Sequence, residues 1–335
     1  MRTLVKFSAV KSTAVKSTAV KLTAVAGVAA VLALSACSSN DAATGTDAAI
    51  SLENCGQTVT LAEPATAAVT VNQGATESAL AIGAQKQLVG TAYLDDAIAP
   101  QWADAYRSIE VLSDKYPDRE QLLQKRPDLV TASYSSAFDD KALGSRQSLA
   151  GLDIATYVSP FGCADTSKRP APSWDAIAAE IDDYGVLFGR ADAATKVNTT
   201  MRTTLAELAT RNAGAGTSVM WWDAQTDSPS VGGRDGGPQL VMDAVGATNA
   251  FAQLSGNWAT TGWESVLKAD PDVIVLIDAD WDPAQAKRAY LESDPALRDL
   301  TAVRNQAFVV IPFSESTPGA RLIDGATRLS AALAK

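Results

Sequence analysis

The chain has 335 residues, 47% apolar and 20% charged, a balance that fits a folded soluble body of one large or two smaller domains. A net charge of −10, from 28 basic and 38 acidic residues, is a poor electrostatic match to nucleic acid. There is no histidine and there are only three cysteines, which excludes Ser-His-Asp and Cys-His nucleophilic sites, imidazole proton relays, and both histidine-containing and all-cysteine zinc sites.

The N-terminal stretch reads as an address. Arg2, Lys6, Lys11, Lys16 and Lys21 precede the first acid, Asp41, and a five-residue repeat from Ala9, Ala14 and, in altered form, Ala19 pads them. The apolar run Leu22–Leu34, broken only by Thr23, would span roughly 20 Å as a helix, short of the ~30 Å hydrocarbon core of a bilayer. It reads as the centre of a signal peptide over residues 1–36 rather than as a transmembrane anchor. The run closes Leu34-Ser35-Ala36-Cys37, which resembles the lipobox of bacterial lipoproteins. That resemblance implies cleavage before Cys37, acylation of its thiol, and a protein held by lipid on the extracytoplasmic face of the cell membrane. Residues 37–55 are expected to form a flexible tether. With five of the basic residues and none of the acidic ones in the first 36, the mature chain would carry −15.

Cys55 and Cys163 are then an even pair in an oxidising compartment, and a disulfide is expected over two buried free thiols. Between them the pattern alternates short β-branched runs with helical stretches. Strands are expected at 69–71, 88–92, 128–133 and 155–158, with helices at 75–82, 100–106 and 118–125. Such alternation indicates parallel βαβ units over residues 56–170. Trp174 to Arg211 reads as almost wholly helical, interrupted by Gly185 and Gly189, and forms an inter-lobe segment over 171–213. The second block, 214–335, repeats the alternation. Its strands are expected at 218–222, 273–277 and 308–312, and its helices at 238–245, 263–268, 283–300 and 319–334. The fold class is therefore α/β, two Rossmann-like lobes with parallel central sheets joined by one long rigid helix.

One pattern occurs in both blocks: Glu120-Gln-Leu-Leu-Gln-Lys-Arg-Pro127-Asp128-Leu129-Val130, and Glu264-Ser-Val-Leu-Lys-Ala-Asp-Pro271-Asp272-Val273-Ile274. An acid opens a two-turn helix, where the helix dipole favours it, and Pro-Asp stops the helix before a buried strand. With the stretch Tyr184-Gly-Val-Leu-Phe-Gly-Arg190 and Leu300–Phe308 before the last strand, the order of these pieces resembles the helical-backbone substrate-binding proteins of ABC importers. That group binds ferric siderophores, cobalamin or haem. The resemblance covers most of residues 56–335 and implies a monomer that delivers a small ligand to a permease dimer. It also implies that Glu120 and Glu264, one on each lobe, pair with permease arginines. Plain first-turn helix acids are the alternative reading of both.

The ligand is expected between the lobes, at the C-terminal ends of strands. The anchors expected there are Tyr93, Tyr134, Trp222, Arg234, Trp258 and Arg321, since guanidinium suits anionic oxygens and flat aromatics suit a planar or catecholate-like ligand. Each arginine has a structural ion pair as its alternative, and each tryptophan core packing. The loop Gly232-Gly-Arg-Asp-Gly-Gly237 lacks the Gly-Lys-Ser/Thr of a phosphate loop. No enzyme, cofactor or resident metal is expected: Ser265-Val-Leu-Lys268 has the spacing of a penicillin-binding enzyme but none of its partner motifs. A ferric siderophore is the favoured ligand, with cobalamin or haem in the same fold as alternatives and a surface lipoprotein without a transport role as the remote one.

Overall fold

The structure, a computed structural model, describes residues 49–334. The signal segment 1–36, the lipidation site Cys37 and the tether as far as residue 48 lie outside the described residues. The remainder of the expected tether is ordered chain. Ile50–Asn54 (β1) and Gln57–Leu61 (β2) pair as an antiparallel hairpin. Ile50, Leu52, Val59 and Leu61 point inward to the first core, and the Ser, Glu and Thr residues between them face water. This period-2 pattern is easily mistaken for linker composition.

The first lobe continues through Ala68–Val71 (β3), Gln73–Ala81 (α1), Leu88–Ala92 (β4), Ala103–Tyr106 (α2) and Val111–Ser113 (β5). Arg119–Gln124 (α3), Leu129–Ala132 (β6), Arg146–Ala150 (α4) and Ala155–Val158 (β7) complete it. Strands β3 to β7 form one parallel sheet in the order β5-β4-β3-β6-β7. Both faces are covered: Leu129 enters the core shared with α1, while Val130 and Ala132 enter the core on the opposite face. A strand buried on two sides reads as a continuous apolar run, as Leu-Val-Thr-Ala does.

Trp174–Leu187 (α5) begins at Ser173, whose hydroxyl accepts the Ala176 N–H at 3.0 Å. Ala191–Arg211 (α6) follows after a three-residue turn, and its 21 residues span roughly 30 Å. Gly185 does not interrupt α5. A Cβ there would lie 2.7 Å from that of Ala194, so the glycine lets the two helices lie close together. Asn198 fastens them, donating to the Ala178 carbonyl at 2.9 Å and to Asp182 at 2.8 Å. The long inter-lobe helix is thus backed by an antiparallel partner. Both cross the boundary, with Ile181, Tyr184, Leu187 and Ala194 in the first core and Ile177, Met201 and Leu208 in a core of the second lobe.

The second lobe contains Ser218–Ala224 (β8), Ser230–Gly232 (β9), Gly237–Val245 (α7), Thr248–Asn249 (β10) and Trp258–Thr260 (β11). Trp263–Ala269 (α8), Val273–Asp278 (β12), Ala284–Ser293 (α9), Thr301–Arg304 (α10), Phe308–Pro312 (β13) and Leu322–Leu333 (α11) follow. The sheet order is β11-β9-β8-β12-β13, with β10 also on β8. Its centre is parallel, and the short β9 and β11 add an antiparallel edge.

The repeated Pro-Asp turns do the same job in each lobe. Asp128 accepts the Thr66 N–H at 2.7 Å and its hydroxyl at 2.9 Å, pinning the chain just before β3. Asp272 accepts the Ser218 N–H at 2.8 Å, pinning the start of β8. Each carboxylate ties the strand it precedes to the neighbouring strand, so the sequence repeat is a repeat of construction. Cys55, in the β1–β2 turn, is disulfide-bonded to Cys163 beyond β7 across 108 residues, with a Cα–Cα distance of 5.4 Å.

Candidate functional site

A cavity of about 370 Å3 lies between the lobes, within the range of small-molecule sites. Its first wall is built from residues just past strand ends: Gln73–Gly74 after β3, Asp95 after β4, Ser133–Ser136 after β6 and Ser159 to Gly162 after β7. The second wall comes from the start of α7, from Asn257 and Trp258, and from the segment 313–319 after β13. Glu180, from α5, also lines the cavity. This is where open parallel sheets bind ligands, because the strands end there while the loops diverge.

Of the six expected anchors, Tyr134 and Trp258 line the cavity, one from each lobe. Tyr134 as a residue is 38% exposed, yet burial of its phenol, reinforced by Asp95, pushes its pKa upward. Tyr93 follows β4 in a left-handed conformation (φ 60°), its ring edge-on to Tyr116 at 4.8 Å with the Lys115 ammonium 4.8 Å above it. It does not line the cavity.

The other three expected anchors lie outside the cavity lining. Trp222 is fully buried, its indole donating to the Ala224 and Gln225 carbonyls at 3.0 and 3.1 Å and its ring packed edge-on against Trp263. Alternation does send Trp221 and Trp222 to opposite faces, but each face of β8 is a core. Arg234 lies outside the cavity lining, half exposed beside Asp235 at 3.6 Å. The glycines around it serve the chain itself, since a Cβ at Gly237 would come within 2.2 Å of the Ser316 carbonyl oxygen. Arg321 is 5% exposed and belongs to an ion knot between the lobes. It pairs with Glu77 on α1 at 3.3 Å and with Glu315, donates to Ser314 at 2.8 Å, and lies 3.9 Å from Asp96.

Of that knot only Ser314 lines the cavity. The Ser314 N–H donates to Asp96 at 2.9 Å, and the Asp280 N–H donates to the Asp95 carbonyl at 3.1 Å, both across the lobe boundary. Burial raises Glu77 to about 7 despite Arg321. Asp95 is raised to about 6, by burial first and then by Asp96. Burial likewise raises Glu180 to about 7.

The charges facing the cavity are therefore few. Arg169 is the only cationic side chain among the described lining residues, against Asp95 and Glu180; hydroxyls, aromatic rings and backbone make up most of the rest. Sequence reasoning sought aromatics and arginines and so passed over the serines. Their signal was positional: Ser133 directly follows β6 and Ser159 directly follows β7.

Two α/β lobes, a shared helical pair and a cavity at the strand ends define a solute-binding protein. A family model described as periplasmic binding protein matches residues 69–315, and the chain belongs to that family, whose members bind solutes rather than catalyse reactions. No curated protein sequence matches it. Among solved structures, a periplasmic binding protein from Veillonella parvula is similar at 24% identity and a TM-score of 0.74, covering 85% of this chain and 97% of that one. An ABC-type Fe3+-hydroxamate transport system from Saccharomonospora viridis is similar at 24% identity and 0.71, covering 85% and 99%. A periplasmic haem-binding protein from a Roseiflexus species, in apo form, gives 19% identity and 0.62, covering 81% and 98%. These likenesses establish the shared fold.

Proposed function

We propose that this chain is the lipid-anchored, extracytoplasmic binding protein of an ABC importer and that it carries a ferric hydroxamate chelate. The observation that carries the reading is the low charge of the cleft, with one arginine, one buried carboxyl (Glu180) and one half-buried carboxyl (Asp95) among its described lining residues. Three singly negative hydroxamates cancel the charge of ferric iron, so their complex is neutral and needs hydroxyls and aromatic surface rather than a cluster of cations. A ferric tris-catecholate is strongly anionic, and haem brings two propionates; either would meet Asp95 and Glu180 with only Arg169 to offset it.

Titration with a ferric trihydroxamate is expected to change the fluorescence of Trp258 in the cavity wall, with a Kd below roughly 10 μM. Haem and cobalamin are expected to leave it unchanged at that concentration. Binding of either of these two, without the hydroxamate, would refute the assignment.

Glu120 and Glu264 sit in the first turns of α3 and α8, exposed, and make no hydrogen bond or ion pair among the described residues. The α3 N-terminus already has its cap in Asp118, which accepts the Gln121 N–H at 2.8 Å. Two unpaired acids at matching places on two lobes suit a permease dimer presenting two equivalent basic sites. Reversing both charges, Glu120→Arg with Glu264→Arg, is expected to leave chelate affinity intact while cellular uptake falls to background. Uptake that matches wild type would remove the docking role.

A further inference from the structure

Glu180 is the most anomalous residue of the cleft. It is 4% exposed, it lines the cavity from α5, and its Oε2 has no hydrogen-bond partner. The groups that face it are Asp183 and Tyr184 on its own helix, Tyr157 of β7, and the Ser159 hydroxyl. None is a cation. Arg169, the cationic side chain of the lining, is turned to the Cys163 carbonyl, to which its Nε donates at 2.7 Å. A buried carboxyl without a counter-charge costs stability, and a glutamine or methionine would be the cheaper structural choice. A buried polar group left unsatisfied in a native fold calls for an explanation in function. Asp95, the other acid of the cavity, is crowded by like charges from Asp96 and Asp280, although Lys115 and Trp281 partly offset them.

We propose that Glu180 forms a cation subsite in the cleft, with Asp95 adding to its negative field, and that it receives a protonated amine carried on the bound chelate. The inference rests on the ferric-hydroxamate reading and narrows it: the favoured ligand is a linear ferric trihydroxamate that ends in a free primary ammonium. The ammonium supplies the counter-charge and the N–H donors that the protein itself withholds from Glu180, and desolvation in the cavity strengthens the pairing.

Two probes test this with the mature protein: a linear ferric trihydroxamate bearing a terminal primary amine, and the same chelate with that amine acetylated. At pH 8 the amine form is expected to bind roughly ten-fold tighter or better, the scale of a hydrogen bond to a charged group. The preference should shrink below pH 6, as Glu180 takes up its proton. Glu180→Gln should abolish the preference, so that the two chelates bind with equal affinity, while a circular-dichroism spectrum like that of wild type reports an intact fold. Equal affinities for the two chelates in wild type at pH 8 would overturn the subsite and leave the ferric-hydroxamate reading standing, with no variant needed. A preference that survives Glu180→Gln would overturn the assignment to Glu180. If neither chelate binds, both readings fall together.

Discussion

Replacing Arg321 by methionine is expected to lower the free energy of unfolding by about 3–5 kcal/mol at pH 8, the usual consequence of removing one partner from a buried ion pair. Methionine roughly keeps the volume of the arginine stem but leaves Glu77 and Asp96, both on the first lobe, without the cation that reaches them across the boundary. Glu315 fares better, because Arg328 holds both of its oxygens at 2.7 and 2.8 Å. The pH dependence has a definite sign. Glu77 is raised from 4.5 to about 7 in the folded state, so its contribution is fully present below the lower value and is lost as pH rises through the upper one. Without Arg321, the influence that most lowers it, Glu77 rises further. The gap between variant and wild type should therefore be largest at pH 8 and much smaller at pH 5. Urea unfolding at the two values measures it; a gap independent of pH would show that Glu77 is not the group left stranded.

Cys55→Ser with Cys163→Ser is expected to cost about 2–5 kcal/mol, as loss of a disulfide closing a long loop should. The bond spans 108 residues and fastens the β1–β2 turn to the segment that follows β7. Phe161 and Gly162, which line the cavity, immediately precede Cys163. The same double substitution is therefore expected to weaken chelate binding, whereas a hairpin tied down elsewhere would lose stability alone. Thermal unfolding together with the fluorescence titration separates the two outcomes. An unchanged melting temperature would show that hairpin packing alone holds this edge.

Much of the architecture was legible because it rests on local patterns. Leu88–Ala92 and Ala155–Val158 are strands with the bounds their composition suggests, and the Pro-Asp repeat marked the entry to a buried strand in each lobe. The hairpin at residues 50–61 escaped notice because its outward face is polar and its strands have only five residues each. The site was less legible, for a different reason. Arg321 looked like a ligand anchor because its partners, Glu77 and Asp96, stand more than 200 residues away in sequence and meet it only through the tertiary fold. Trp222 looked available because a strand pattern does not say how many faces of the sheet are covered. Glu180 was hidden within an acid-rich helical stretch that also contains Asp182 and Asp183, a pattern that ordinarily marks a solvated face.

The crossing of α5 and α6 through both cores makes the halves inseparable. Ile177 and Ile181 lie four residues apart on one helix, yet the first is walled in by one lobe and the second by the other. A fragment ending at either side of this pair would carry an uncovered greasy stripe, so neither half is a viable product of proteolysis or gene splitting. Melting should accordingly occur as one event rather than two.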